Sequence, residues 1–238
     1  MINMPKSFAL LFWSFIILLS SCSGGGYSEL KNSGLKGPVK SFREVRCDPT
    51  YSNGKWVAGK PLGNDYRVVH FDREGRFVES YSVDTSGDTL GMSTVTRDES
   101  GELKEEVFFT KFWLTPKESR MYQTSKTVLE RVADDQINFE VWKGDQRLNE
   151  GANYYDKKGR LIRQVQVVGG QEMTIHYIYD KDLLVENYQE DMQGNRNATQ
   201  LYSYDHFDDH GNWTLKLIYI DEDMIAPDVA LSREIEYY

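Results

Sequence analysis

Tyr155-Asp156-Lys157-Lys158-Gly159-Arg160-Leu161 is the stretch from which the fold is read. An aromatic residue closes one strand, and Arg-Leu opens the next. Asp suits the first position of a type I turn, because its side chain accepts a bond from a backbone N–H two residues on. The fourth turn position then sits in the left-handed region as a single-residue bulge, which lets the strands pair with the correct twist. Glycine enters that region without steric cost. Asp-x-x-Gly between two apolar runs is therefore a hairpin signal with a mechanism.

The phrase recurs along the chain. Phe71-Asp72-Arg73-Glu74-Gly75-Arg76-Phe77 is a close copy. Looser ones are Arg97-Asp98-Glu99-Ser100-Gly101-Glu102-Leu103 and Phe207-Asp208-Asp209-His210-Gly211-Asn212-Trp213. Asp72, Gly75, Asp98, Gly101, Asp156, Gly159, Asp208 and Gly211 are read as turn formers, not as ligands.

Between these turns the chain reads as strands. A first strand spans Val39 to Val45, and Asn53-Gly54 signals a type I′ hairpin with a short return at Trp56-Val57. From Tyr66 onward, strands are expected near 66–71, 76–83, 90–97, 102–113, 120–132, 137–142, 147–155, 160–168, 171–179, 183–190, 195–206, 212–220 and 229–238. Alternation supports them: Trp213, Leu215, Leu217 and Tyr219 share one face, with Thr214 and Lys216 on the other. Residues 116–132 are the best candidate for a helix, but Thr127, Val128 and Val132 favour a strand. The expected fold is all-β, a single long antiparallel meander forming a curved, twisted sheet, either a half-barrel or rolled.

The N-terminus reads as a processing segment. Lys6 precedes an apolar run from Phe8 to Leu19, too short for a comfortable transmembrane helix. Leu19-Ser20-Ser21-Cys22 follows and resembles a bacterial lipobox. The expected organisation is a signal peptide over 1–21, a lipidated Cys22 with a flexible tether over 22–34, and an all-β domain over 35–238. The expected location is the outer membrane, lipid-anchored, on its periplasmic face or at the cell surface. With Cys22 lipidated, Cys47 is the only other cysteine, so no intramolecular disulfide forms. The formal net charge is −9 and no basic stripe is visible, so nucleic acid is not an expected partner.

The Tyr-Asp-x-x-Gly-Arg-Leu phrase resembles the YD-repeat (RHS-repeat) family. Asp208-Asp209-His210-Gly211-Asn212-Trp213-Thr214 is similar to a signature of Bacteroidota lipoproteins carrying such repeats, and Arg233 to Tyr238 resembles the end of that group. The resemblance spans roughly residues 66–238. It implies chained antiparallel hairpins and brings no catalytic residues.

No nucleophile elbow, phosphate loop, dinucleotide fingerprint or His-Glu-x-x-His is present. The densest potential metal ligands, Asp205 to His210, coincide with a turn phrase whose other copies carry no histidine, so neither metal nor cofactor is expected. Asp88-Thr89-Leu90 resembles a Bacteroidota O-glycosylation sequon, which makes Thr89 a candidate site. Trp56, Trp113, Trp142 and Trp213 are candidate aromatics for stacking on a sugar or anchoring a protein. The expected function is a non-catalytic binding or scaffold role, with an envelope protein or glycan as partner besides the membrane anchor. The alternatives are a polysaccharide-acting hydrolase with carboxylates in a concave face, and a structural envelope or toxin-immunity component.

Overall fold

The computed structural model describes residues 29–115, 118–220 and 223–238. One short helix, α1 (Glu29–Asn32), precedes the strands. They are β1 (Val39–Ser52), β2 (Lys55–Pro61), β3 (Asp65–Phe71), β4 (Phe77–Asp84), β5 (Thr89–Arg97), β6 (Leu103–Thr115), β7 (Glu118–Ala133) and β8 (Gln136–Lys143). There follow β9 (Gln146–Tyr155), β10 (Leu161–Val168), β11 (Gln171–Asp180), β12 (Leu183–Glu190), β13 (Arg196–Phe207), β14 (Trp213–Tyr219) and β15 (Val229–Tyr237).

The meander from β3 to β15 runs in strand order, each strand antiparallel to the next. It does not stop as an open or half-rolled sheet. β15 pairs with β1 from Val39↔Tyr237 to Cys47↔Ala230, and β1 also pairs with β3. These pairings close a barrel of 14 strands, with β2 outside the ring. Closure removes both edges that an open meander would leave unpaired.

The Asp-led turns owe their shape to local bonds. Asp156 Oδ1 accepts from the backbone N–H of Lys158 at 2.9 Å and of Arg160 at 3.0 Å, while Gly159 takes φ +79°. Asp72, Asp98 and Asp208 accept in the same pattern, and Gly75, Gly101 and Gly211 all take positive φ. Asp84 and Asp191 build two further turns of the same kind. The turns led by Asp72, Asp98, Asp156 and Asp208 lie at one end of the barrel, here the near end. Those led by Asp84 and Asp191 lie at the other, because successive hairpins alternate.

Helix α1 plugs the near end. Leu30 donates its N–H to the Gly75 carbonyl at 3.2 Å, and Leu30 and Leu35 join an apolar cluster with Phe42, Phe71, Phe77 and Phe139. Glu29 goes in with them, 1% exposed, facing Arg97 and the N–H of Phe77. Residues 29–34 lie within the range expected for the tether, and of them Glu29 and Leu30 are buried. No helix among the described residues is long and apolar enough to cross a membrane.

The first hairpin has a second task. After Cys47 it leaves the ring and lies across the outside of β15, β14 and β13. Trp56 and Ala58 cover Leu215, Leu217, Tyr219 and Ala230, and Lys55 Nζ reaches to 3.3 Å from His206 Nε2. Trp213 departs from the face it was expected to share with these residues. It packs with Val229 and Leu231 in a separate cluster.

Candidate functional site

A closed strand ring has two faces, and alternation assigns each residue to one of them. On β1, Arg43 and Val45 point outward while Phe42 and Glu44 point inward. The outer wall carries cross-strand ion pairs around the barrel. Lys40 meets Glu236 at 2.8 Å, Arg43 meets Glu234 at 3.3 Å, Lys126 meets Glu105 at 3.0 Å, and Arg147 meets Glu140 at 3.0 Å. A barrel that spans a bilayer presents an apolar band about 25 Å tall instead.

The inner face is polar above the plug. Eight-stranded barrels are just wide enough for side chains to fill, and barrels of about 16 strands leave an aqueous channel. A ring of 14 lies between those sizes, and the side of the wall that it encloses is here called the lumen wall. Register places Arg233 opposite Glu44, Glu44 opposite Arg67, Arg67 opposite Ser82, and Glu106 opposite Val95. One pair further from the plug, Arg46 and Lys216 flank Leu231 on either side.

One pair of these charges is locked in place. Arg233 Nη2 holds Glu44 at 2.7 Å, and its guanidinium stacks 3.6 Å from the Trp213 ring centre and 4.2 Å from that of Phe42. Burial alone would raise the Glu44 carboxyl, but Arg233, Lys216 and Arg67 together hold it below its ordinary range. Glu106 has no such company. Burial pushes it up to about 7, against a hydrogen bond from Ser93 and the more distant Arg67. Lys216 is pulled down to about 8 by burial, and Glu44 opposes that shift. Its ammonium lies 5.2 Å from the centre of the Tyr202 ring.

The remaining wall is built of amides and tyrosines. Gln164 Nε2 donates to Asn153 Oδ1 at 2.9 Å, and Asn187 Nδ2 donates to the Tyr202 hydroxyl at 2.5 Å. Tyr202 in turn donates to Gln200 Oε1 at 2.9 Å. Asn153, Gln164 and Asn187 are at most 1% exposed. Yet Asn153 Nδ2, Gln164 Oε1 and Asn187 Oδ1 have no hydrogen-bond partner among the described residues. An unmatched buried amide atom costs about 1–3 kcal/mol, and Asn149 Oδ1 on the same face is in the same state, so polar side chains are set deep in this wall.

The residues singled out from sequence are dispersed. Trp213 is buried under Arg233, and Trp56 belongs to the outer hairpin, beside Tyr51. Trp142 is half-buried on the outer wall, donating to Glu140 at 3.2 Å. Trp113 is 55% exposed towards the tip of the β6–β7 hairpin. The four tryptophans therefore form no common surface. Thr89 begins β5 at the far end and is half-buried. His206 faces Lys55, and the His210 ring stacks 4.0 Å from that of Tyr237. No group of three potential metal ligands occurs among the described residues. Cys22 lies outside them. The lumen residues escaped notice in the sequence. The one available signal was the run of Asn, Gln and Tyr at alternate positions of β9 to β13.

No protein-family model matches the chain, and no curated protein matches it in sequence. The YD-repeat likeness is therefore supported by no family model. Among solved structures, a porin-like protein from Bacteroides uniformis is similar at 8% identity and a TM-score of 0.34. It covers 84% of this chain and 99% of its own. A protein of unknown function from Bacteroides fragilis is similar at 14% identity and a TM-score of 0.26. It covers 60% of this chain and 86% of its own. At these values neither likeness carries an argument, and the barrel rests on the strand pairing described above.

Proposed function

We propose that this chain is a lipid-anchored envelope protein whose barrel stands in water and binds a small polar ligand in its lumen without chemical turnover. The single observation behind the reading is the polar character of the enclosed face, where Asn149, Asn153, Gln164, Gln166 and Asn187 stand across β9, β10 and β12. The ion-paired outer wall favours a barrel beside the bilayer over one inside it. The lipobox at Cys22 supplies the anchor. A non-catalytic role is favoured by Glu44, which Arg233 occupies and which is thereby a poor proton carrier.

The experiment is calorimetric titration of the full chain, purified in detergent from its native envelope, against a panel of mono- and oligosaccharides. Saturable binding with one site per chain is expected, and it should be lost in an Asn153→Leu/Asn187→Leu double variant. No saturable binding across the panel would remove the reading. Turnover of any sugar would replace it with the hydrolase alternative.

A further inference from the structure

We propose that two copies of this chain associate through their far ends, with the β6–β7 hairpin of each lying against the acidic β14–β15 connection of the other. The first observation is how far that hairpin projects. Pairing of β5 with β6 ends at Gly91↔Thr110, and pairing of β7 with β8 begins at Lys126↔Trp142. Beyond Thr110, β6 and β7 pair only with each other, out to Thr115↔Glu118. Five further residues of β6, at about 3.4 Å each, carry the hairpin roughly 17 Å past its neighbours. Phe112, Trp113, Leu114, Met121 and Tyr122 lie on this projection, and all five are exposed. Phe112 and Tyr122 meet edge to face at 5.7 Å on one face, and register sets Trp113 and Met121 on the other. An apolar patch of this kind on a polar wall marks an interaction surface.

The second observation is a counterpart on the same rim. The connection between β14 and β15 also lies at the far end, since Asp208 turns β13 into β14 at the near one. It exposes Ile220, Met224 and Ile225, and Ile225, at 79%, is the most exposed large apolar side chain among the described residues. Its charge is opposite to that of the hairpin. Residues 111–122 hold three basic side chains and one acidic, a net of +2, whereas residues 220–228 hold four acidic and none basic. Arg120 is exposed and pairs with its neighbour Glu118 at 3.2 Å, a surface contact that costs little to exchange. Asp223 is exposed on the acidic side.

The third observation is that one copy does not join the two segments. Around the ring, six strands separate β7 from β14 one way, and four separate β15 from β6 the other. The hairpin and the acidic connection therefore stand on nearly opposite sides of one mouth. A twofold axis perpendicular to the barrel axis brings them together. When two far ends face each other across it, each hairpin meets the other copy's acidic connection, and the same contact forms twice. Apolar side chains are then covered on both copies, and a basic segment faces an acidic one in both contacts. The association uses none of the lumen wall, so it stands apart from the ligand reading.

The test is sedimentation velocity of the full chain in density-matched detergent, at micromolar concentration and low salt. A species of twice the chain mass is expected, and raising salt should dissociate it. Arg120→Glu and Asp223→Lys change exposed residues, and each alone should weaken the dimer at least about tenfold, equivalent to roughly 1.4 kcal/mol. An equimolar mixture of the two variants should restore it. The mixed pair sets the reversed hairpin against the reversed connection and leaves the other contact native. A monomer at low salt would overturn the proposal. A dimer that both variants leave intact would place the association elsewhere and overturn it equally. A dimer weakened by each variant but not restored by their mixture would overturn the reciprocal contact.

Discussion

Arg97 Nη2 lies 2.8 Å from Glu29 Oε2, and this pair joins the plug helix α1 to the barrel wall at β5. Arg97 also donates to the Phe77 carbonyl at 2.8 Å, while the Phe77 N–H donates to Glu29. The carboxylate is thus matched by a charge and by backbone in the same buried corner. Removing one partner leaves the other charge buried and unmatched. Glu29→Ala is expected to destabilise the protein by about 3 kcal/mol or more. Glu29→Met/Arg97→Met should lose much less than the sum of the single changes. Urea midpoints for the three variants measure the coupling, and additive losses would show that the pair does not hold the plug.

Glu106 makes stability fall as pH rises. Its folded carboxyl titrates near 7, above the ordinary value of 4.5, because burial disfavours its charged form. Between those two values the folded chain holds a proton that the unfolded chain has released, so raising pH across that window favours unfolding. The expected loss from this residue is about 3 kcal/mol between pH 4.5 and pH 8. Glu106→Gln should match the parent protein at low pH and exceed it at pH 8, as read from urea unfolding at both pH values.

Two glycines should respond differently to alanine. Gly211 occupies a turn at φ +76° with open space around it, so alanine meets only the left-handed penalty of about 1 kcal/mol. Gly151 lies inside β9, where an added Cβ would run into the Val165 carbonyl and sit 2.7 Å from Phe139 Cζ. Gly151→Ala is expected to cost about 3 kcal/mol, the scale of an overpacked core. Thermal unfolding of the two variants side by side gives the order.

Cys47 is 4% exposed beneath Trp56 and Ala58, and burial raises its thiol pKa further. It should be silent to a thiol reagent in the folded protein and react once the outer hairpin is unfolded. With the proposed lipidation of Cys22, the chain in denaturant should yield one thiol per molecule, that of Cys47. Two thiols would show that Cys22 is free.

Much of the barrel was legible because its signals are local. The bonds from Asp156 Oδ1 reach only to residues 158 and 160, so the turn is present in a short piece of sequence. The strands between such turns followed closely, from β3 to β15. The plug was not legible. Helix α1 is four residues long, too short for a periodic pattern, and is held by contacts to residues 75, 77 and 97. The lumen was half legible: alternation tells which residues share a face, but both faces of this wall are polar, so composition does not tell which one turns inward.

What the sequence by itself determined is the order of the strands and the position of each turn, because every hairpin is specified by the residues that build it. What only the tertiary structure decided is that the sheet closes, which face it encloses and how its near end is plugged. Closure depends on pairs such as Val39 with Tyr237, at opposite ends of the described chain. No local propensity encodes that pairing. It forms because two exposed strand edges, brought round by the accumulated twist of the intervening hairpins, satisfy each other's backbone groups.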